Sequence, residues 1–157
     1  MFAIKAEVHD LRAEALAFTG QKTMYGGKHI AAGDELFIFA SENEGGTGLV
    51  ARGTVRSAQA VPLKPGIARQ TPRVSVTVQR LACAKRPLGR SELKAFSDWT
   101  DGRPETELNF KLYRQATNKI VGLSPEAAAF LRGFFQAQTI PGNGLCRTSQ
   151  DNGGPGP

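Results

Sequence analysis

The chain has 157 residues and a mass of 16.8 kDa, with 40% hydrophobic and 22% charged residues, which suits one globular domain and leaves little room for two. Its two cysteines and two histidines are too few for a disulfide framework or a CxxC-type metal site, so we expect no metal and no cofactor. No stretch approaches the roughly 20 apolar residues of a membrane span, and no secretory signal is visible, which favours a soluble, cytoplasmic protein.

The net charge of +6 is concentrated in the middle of the chain. Residues 1–51 contain four Lys/Arg and seven Asp/Glu, a net charge of −3. Residues 52–119 contain fourteen Lys/Arg and five Asp/Glu, a net charge of +9. Residues 120–157 are balanced. Because a basic region attracts polyanions, this asymmetry favours nucleic acid as the partner, and no membrane partner is predicted.

The first part of the chain predicts one strand, one helix and a long loop. Apolar residues alternate with polar ones over residues 2–8, which is the period-two pattern of a half-buried strand. Asp10 is expected to cap a short helix that runs to Phe18. Residues 19–33 are polar and contain glycines, which predicts a loop.

Strands and turns alternate in the middle of the chain. The apolar run at residues 35–40 predicts a buried strand, and a flexible connection is expected at residues 41–48. Residues 49–61 predict the next strand, and residues 62–72 form a loop with three prolines. Three valines alternate with polar residues over residues 73–80, which is the clearest strand pattern in the sequence.

The last part predicts two helices and two strands. Ser91 is expected to cap a short helix. Alternation of apolar and polar residues predicts a strand over residues 108–113, and residues 119–123 predict another. Ser124 combines a capping hydroxyl with a following proline and a glutamate near the positive end of the helix dipole, so we predict a helix from there to about Phe135.

The predicted fold class is α+β. Short strands with peripheral helices and glycine-rich turns favour a small, bent mixed sheet or a partly open β-barrel with two or three peripheral helices. The domain is expected to span residues 1–138. Residues 139–157 are rich in Gly and Pro and show no periodicity, which predicts a disordered tail.

Two stretches, GDELFIFAS at residues 33–41 and GLVARGTV at residues 48–55, resemble the core of the PUA-like superfamily, in particular its EVE and ASCH domains. In those domains a Gly-Asp turn opens a strand that ends in a small polar residue, and the next strand carries a glycine-rich pattern. The opening FAIKAE and the closing GLSPEAAAFLRGFF are also similar to EVE domains. Val8 stands where a proline commonly follows the Lys-x-Glu pair, so the chain resembles a divergent member.

This resemblance implies a PUA-like fold and a nucleic-acid-binding reader domain. A flipped base, for example methylated or hydroxymethylated cytosine, is expected in a pocket at the mouth of the barrel. Such a base needs aromatic faces to stack on and polar groups to read its edge. Lys and Arg at the rim of the pocket are expected to contact phosphates.

The sequence supplies candidates for each part of such a site. Ser41 corresponds to the small polar residue at the strand end, and aromatic, polar and basic residues complete the base-binding candidates: Lys5, Tyr25, Ser41, Glu42, Trp99 and Asn109. Basic residues of the central region are the phosphate-contacting candidates: Arg52, Arg56, Lys111, Arg114 and Lys119. Packing at the edge of the core is the alternative for the two aromatic residues, and no catalytic or metal-ligating residue is predicted.

Two other functions stay open at this point. An ASCH-type enzyme, a ribonuclease or an amide hydrolase, needs a tight constellation of polar residues, and Lys5 with Glu7 is the one nearby pair. A protein-binding adaptor would use the tail and the basic face instead. A nuclease or other effector is expected to be a separate protein, because the predicted tail follows the domain. DNA and RNA remain alternatives as the ligand.

Overall fold

The computed structural model describes residues 1–136, which form six strands and three short α-helices. The strands are β1 (Phe2–Ala6), β2 (Ala15–Met24), β3 (Glu35–Ala40), β4 (Gly48–Ala60), β5 (Arg73–Cys83) and β6 (Lys119–Gly122). They close into a barrel in the spatial order β1, β3, β4, β5, β2, β6. The helices are α1 (Arg90–Leu93), α2 (Pro104–Leu108) and α3 (Pro125–Arg132). The predicted α+β barrel with peripheral helices is confirmed, and the barrel is closed.

Strand β1 is buried on both faces because it lies between two apolar layers. Ile4 belongs to the core inside the barrel, whereas Ala3 belongs to a second core that includes residues of all three helices. The strand pairs in parallel with β3 and antiparallel with β6, and β6 also pairs in parallel with β2. Because successive side chains alternate between faces, Lys5 and its cross-strand partner Lys119 lie on the outer face, beneath the helical layer.

The helix predicted from Asp10 to Phe18 is wrong. Residues 15–24 form β2, in which Leu16 and Phe18 are buried at a spacing of two and the intervening side chain is exposed. The strand pairs antiparallel with β5. Asp10 accepts a hydrogen bond from the Arg12 backbone and so stabilises a turn before the strand. The loop predicted from residue 19 therefore begins only after Met24.

The strand predicted over residues 108–113 is also wrong. This segment continues α2 as a π-helical turn, Asn109–Tyr113. Leu108 and Leu112 are four residues apart and both fully buried, a spacing that places them on one helical face. Pro104 at the first helical position favours the helix, because its missing N–H needs no partner there.

The remaining strands and helices agree with the sequence, except that Ser91 does not cap the first helix. Helix α1 begins at Arg90 after Gly89, so Ser91 lies within the helix. The predicted strands at residues 35–40, 49–61, 73–80 and 119–123 correspond to β3, β4, β5 and β6. Ser124 caps α3 by accepting a hydrogen bond of 3.0 Å from the Ala127 backbone. The predicted tail, residues 139–157, lies outside the described residues. No helix within residues 1–136 is long and apolar enough to cross a bilayer.

Gly27 provides a test of barrel closure. A Cβ atom at this position would lie 2.1 Å from the Ile120 carbonyl oxygen in β6. We expect Gly27→Ala to lower the free energy of unfolding by about 2–3 kcal/mol, because the backbone of β6 has to shift. Urea unfolding measures this loss. Gly66→Ala is the control: a Cβ there meets nothing within 4 Å, and we expect only the strain of its left-handed backbone, about 1 kcal/mol. Equal losses would contradict the packing argument.

Candidate functional site

A cavity of about 140 Å³ lies at the end of the barrel where β3 turns into β4. Its wall combines the segment after β1 with the β3–β4 connection and includes Val8, His9, Leu11, Ser41, Glu44, Gly46 and Thr47. Two backbone hydrogen bonds of 2.8 Å fix Ser41 there, one donated to the Ala6 carbonyl and one accepted from Gly46. We call this cavity the Ser41 cavity.

Ser41 is buried, and its hydroxyl oxygen has no hydrogen-bond partner among residues 1–136. Leaving a buried hydroxyl without a partner costs about 1–3 kcal/mol. Buried polar groups in native proteins are nearly always satisfied, so an exception calls for an explanation. Ser41 also lines the cavity, so a polar group that enters the cavity and reaches the hydroxyl would provide the missing partner.

Glu42, the next residue, is held by the helical layer. One carboxylate oxygen accepts hydrogen bonds from the Tyr113 hydroxyl, at 3.1 Å, and from the Arg90 backbone, at 2.8 Å. The other carboxylate oxygen is buried without a hydrogen-bond partner within residues 1–136. Burial, followed by the charge of Glu42, raises the pKa of Tyr113, so this phenol stays protonated and donates. Glu42 therefore ties the β3–β4 connection to the π-helical turn.

Lys5 and Lys119 form a pair of buried cations beside this connection. They are cross-strand partners, and only 2% and 1% of their surfaces are exposed. The Lys5 amine donates to the Ala116 carbonyl, at 3.2 Å, whereas Lys119 donates to the carbonyls of Gln115 and Thr117, at 3.2 and 2.9 Å. Burial lowers the pKa of both lysines. Lys119, predicted as a phosphate contact, is thus covered by the turn that follows the π-helical segment.

Four side chains form an aromatic cluster in which Trp99 and Arg114 are exposed and Tyr25 and Phe110 are half-buried. The Phe110 ring lies between Tyr25 and Trp99, with centroid distances of 5.7 and 5.3 Å. The Arg114 guanidinium lies 4.0 Å from the Phe110 centroid and 3.4 Å from the Tyr25 hydroxyl. We use the term aromatic cluster for Tyr25, Trp99, Phe110 and Arg114. Sequence reasoning selected three of them and missed Phe110, whose i, i+4 spacing to Arg114 was hidden by the strand prediction.

The other candidates on the π-helical turn have structural partners. Asn109 is buried and donates a hydrogen bond of 3.0 Å to the Phe96 carbonyl. Lys111 forms an ion pair of 3.0 Å with Glu107 and donates to the Gly122 carbonyl at 2.7 Å. Both side chains therefore hold the helical layer to the barrel.

The arginines differ in how accessible they are. Arg52 lies 3.4 Å from Glu35 in an ion pair that also includes Arg132. Arg56 and Arg114 are exposed. Of the five phosphate-contacting candidates, these two are the ones whose charge faces solvent.

The predicted pair of Lys5 and Glu7 is not formed. The Lys5 amine points to the Ala116 carbonyl, whereas the Glu7 carboxylate lies 3.4 Å from the His9 ring at the exposed surface. The structure thus divides the six base-binding candidates into four groups. Ser41 lines the cavity, Lys5 and Glu42 are held by residues of the helical layer and the turn after it, Tyr25 and Trp99 belong to the aromatic cluster, and Asn109 is buried against the Phe96 carbonyl.

Solved structures share this fold at low sequence identity. The DUF55 domain of human thymocyte nuclear protein 1 matches with a TM-score of 0.58 and 16% identity over 87% of this chain and 99% of that chain. The human protein in complex with 5-methylcytosine-containing DNA matches with a TM-score of 0.56 and 17% identity over 88% of this chain and 98% of that chain. A Rhodopseudomonas palustris protein solved by NMR matches with a TM-score of 0.54 and 18% identity over 85% of this chain and 91% of that chain. No family model and no curated protein matches the sequence. The shared fold agrees with the PUA-like barrel that the resemblance implies.

The buried lysines make stability depend on pH. The pKa of Lys119 falls from 10.5 to about 8, through burial first and then the charges of Lys5 and Arg114. Between these values the unfolded chain binds more protons, so the free energy of unfolding should rise with pH, by roughly 3 kcal/mol from pH 8 to 10.5. Urea unfolding across this window measures the rise. Lys119→Met should reduce it, and Lys28→Met, at an exposed position, should keep it. A rise of the same size in Lys119→Met would contradict the assignment.

Proposed function

We propose that this domain binds nucleic acid and holds one flipped base in the Ser41 cavity. The observation that carries the proposal is the buried, unpartnered hydroxyl of Ser41 at the wall of a cavity. The edge of a base carries hydrogen-bond donors and acceptors, and a serine hydroxyl can donate to the acceptors or accept from the donors. A cavity of about 140 Å³ is smaller than the roughly 300–1,000 Å³ of drug-sized sites, which favours one small planar group.

Charge and aromatic surface support the same proposal. The net charge of +9 on residues 52–119 provides a field for phosphates, and Arg56 and Arg114 are exposed to meet them. The aromatic cluster offers exposed ring surface beside a guanidinium, a combination on which unpaired bases stack. We infer that the cluster stacks a nucleotide next to the flipped base, since it is separate from the cavity.

The structural neighbours add a chemical precedent. Human thymocyte nuclear protein 1, which shares the fold, has been solved in complex with DNA that contains 5-methylcytosine. We propose methylated or hydroxymethylated cytosine as the first base to test on this chain. Polar contacts in the cavity would read the edge of the base, and the basic surface would position the backbone.

Ser41→Ala tests the cavity directly. Because the variant removes an unsatisfied buried hydroxyl, the free protein should be at least as stable as the wild type. Its affinity for duplex DNA should fall about tenfold, since one hydrogen bond to the flipped base is lost. Fluorescence anisotropy with unmodified, methylcytosine and hydroxymethylcytosine duplexes at two salt concentrations measures this. Ser57→Ala, at an exposed position of β4, is the matched control. An unchanged affinity of Ser41→Ala for all three duplexes would show that the Ser41 hydroxyl does not contact the base.

Trp99→Ala tests the aromatic cluster. We expect the affinity for single-stranded DNA to fall about 5- to 100-fold, because one base loses a stacking partner. The same anisotropy assay measures this loss. Leu81→Ala removes another exposed apolar side chain, in β5, and should leave the affinity unchanged. Equal affinities of Trp99→Ala and the wild type would show that the cluster does not stack a base.

A further inference from the structure

The connection between β4 and β5, residues 61–72, projects two large apolar side chains into solvent. Leu63 is 68% exposed and Ile67 is 52% exposed. Both line one shallow concavity of about 240 Å³ at this end of the hairpin, so they form a single patch. Contiguous exposed apolar surface marks an interaction site more often than isolated apolar residues do. We call residues 61–72 the hairpin tip.

The tip is an ordered structure, held by the side chain of Gln70. Its amide oxygen accepts a hydrogen bond of 2.9 Å from the Lys64 backbone, and its amide nitrogen donates to the carbonyls of Lys64 and Ile67, at 2.8 and 3.0 Å. At the base of the tip, the Thr23 hydroxyl donates to the Pro72 carbonyl at 2.7 Å. The backbone that presents Leu63 and Ile67 is therefore fixed before any partner binds.

The charge around the patch has one sign. From residue 45 to residue 91 the sequence holds nine Lys/Arg and no Asp or Glu. Four cations surround or belong to the tip: Lys22, Lys64, Arg69 and Arg73. A partner that is complementary to this surface must have regularly spaced negative charges. It must also have apolar surface that the side chains of Leu63 and Ile67 can reach. The minor groove of duplex DNA has both, because apolar side chains can enter between base steps while cations contact the flanking phosphates.

The tip and the Ser41 cavity lie at opposite ends of β4. The strand begins at Gly48, which pairs with Ala40 beside the cavity, and its thirteen residues end at Ala60. At about 3.3 Å per residue the strand spans up to roughly 40 Å, a distance comparable to a dozen base pairs at about 3.4 Å each. A contact at the tip is thus separate from base reading at the cavity.

We propose that the hairpin tip is a second DNA-binding element, which inserts Leu63 and Ile67 into the minor groove of duplex DNA while Lys64 and Arg69 contact the flanking phosphates. This inference rests on the proposed binding of nucleic acid. It adds an element that reads the shape of the duplex and is independent of base modification.

The test compares an apolar variant with a charge variant of the tip. We expect Leu63→Ser/Ile67→Ser to weaken binding to duplex DNA about tenfold, equally for modified and unmodified duplexes, because the apolar wedge is lost. The salt dependence should stay unchanged, since no cation is removed. Lys64→Gln/Arg69→Gln should instead lower the slope of log affinity against log salt by about 2. Anisotropy with duplex DNA, duplex RNA and single-stranded DNA measures these effects.

Matched controls separate this proposal from unfolding and from the cavity. Leu81→Ser places the same change on an exposed apolar residue outside the tip and should bind duplex DNA as the wild type does. Urea unfolding should show the same midpoint for the tip variants, because the hydrogen bonds of Gln70 involve backbone atoms that remain. Both tip variants should keep the wild-type ratio of affinities for modified and unmodified duplexes, because the tip does not contact the flipped base.

Several results would overturn the proposal. If Leu63→Ser/Ile67→Ser binds duplex DNA as tightly as the wild type does, the tip does not contact DNA. That result would leave the proposed role of the Ser41 cavity unaffected. Equal losses on single-stranded DNA would show that the tip does not enter a groove. Binding to vesicles with anionic lipid, lost in the same variant while DNA binding is kept, would assign the tip to a membrane. No binding of any nucleic acid by the wild type would overturn the proposed function as well.

Discussion

Closure of the barrel depends on β6, a strand of four residues that pairs with β1 on one side and with β2 on the other. Because β6 is so short, its backbone cannot shift without losing pairing to a neighbouring strand. The Gly27 backbone packs directly against the Ile120 carbonyl in this strand. Because β6 begins at Lys119, opposite Lys5, closure also places two ammonium groups beneath the helical layer. Carbonyls of residues 115–117 accept one hydrogen bond from Lys5 and two from Lys119, which offsets part of the cost of burying the charges.

The buried lysines hold the turn that connects both candidate surfaces. The π-helical segment directly before this turn carries Tyr113, whose hydroxyl donates to Glu42, the residue beside Ser41. Arg114, the next residue, stacks on Phe110 in the aromatic cluster. A shift of this segment would therefore disturb the cavity and the cluster together. The two surfaces are separate in space, but one short piece of backbone positions both.

The sequence predicted a strand or helix correctly where its pattern of apolar and capping residues fits only one type of secondary structure. The valines of β5 alternate strictly, and Ser124 with its following proline and glutamate starts α3 as expected. The pattern over residues 108–113 had two interpretations, because Leu108 and Leu112 satisfy both a spacing of two and a spacing of four. The capping residue Asp10 and the apolar residues up to Phe18 favoured a helix, but pairing with β5 determined a strand. Residue type also gave no sign that Lys119 would be buried, since burial follows from barrel closure.

Charge and specificity have different origins in this domain. The acid-free stretch from residue 45 to residue 91 was evident in the sequence, and a stretch of this kind attracts polyanions without regard to their sequence. Specificity needs contacts to a base or to the shape of a duplex, which depend on geometry. The two proposed contacts rest on such geometry, namely the unpartnered hydroxyl of Ser41 and the exposed apolar tip at Leu63, which became apparent only once the chain was folded. They lie at opposite ends of one strand, so base reading and groove contact can be altered independently.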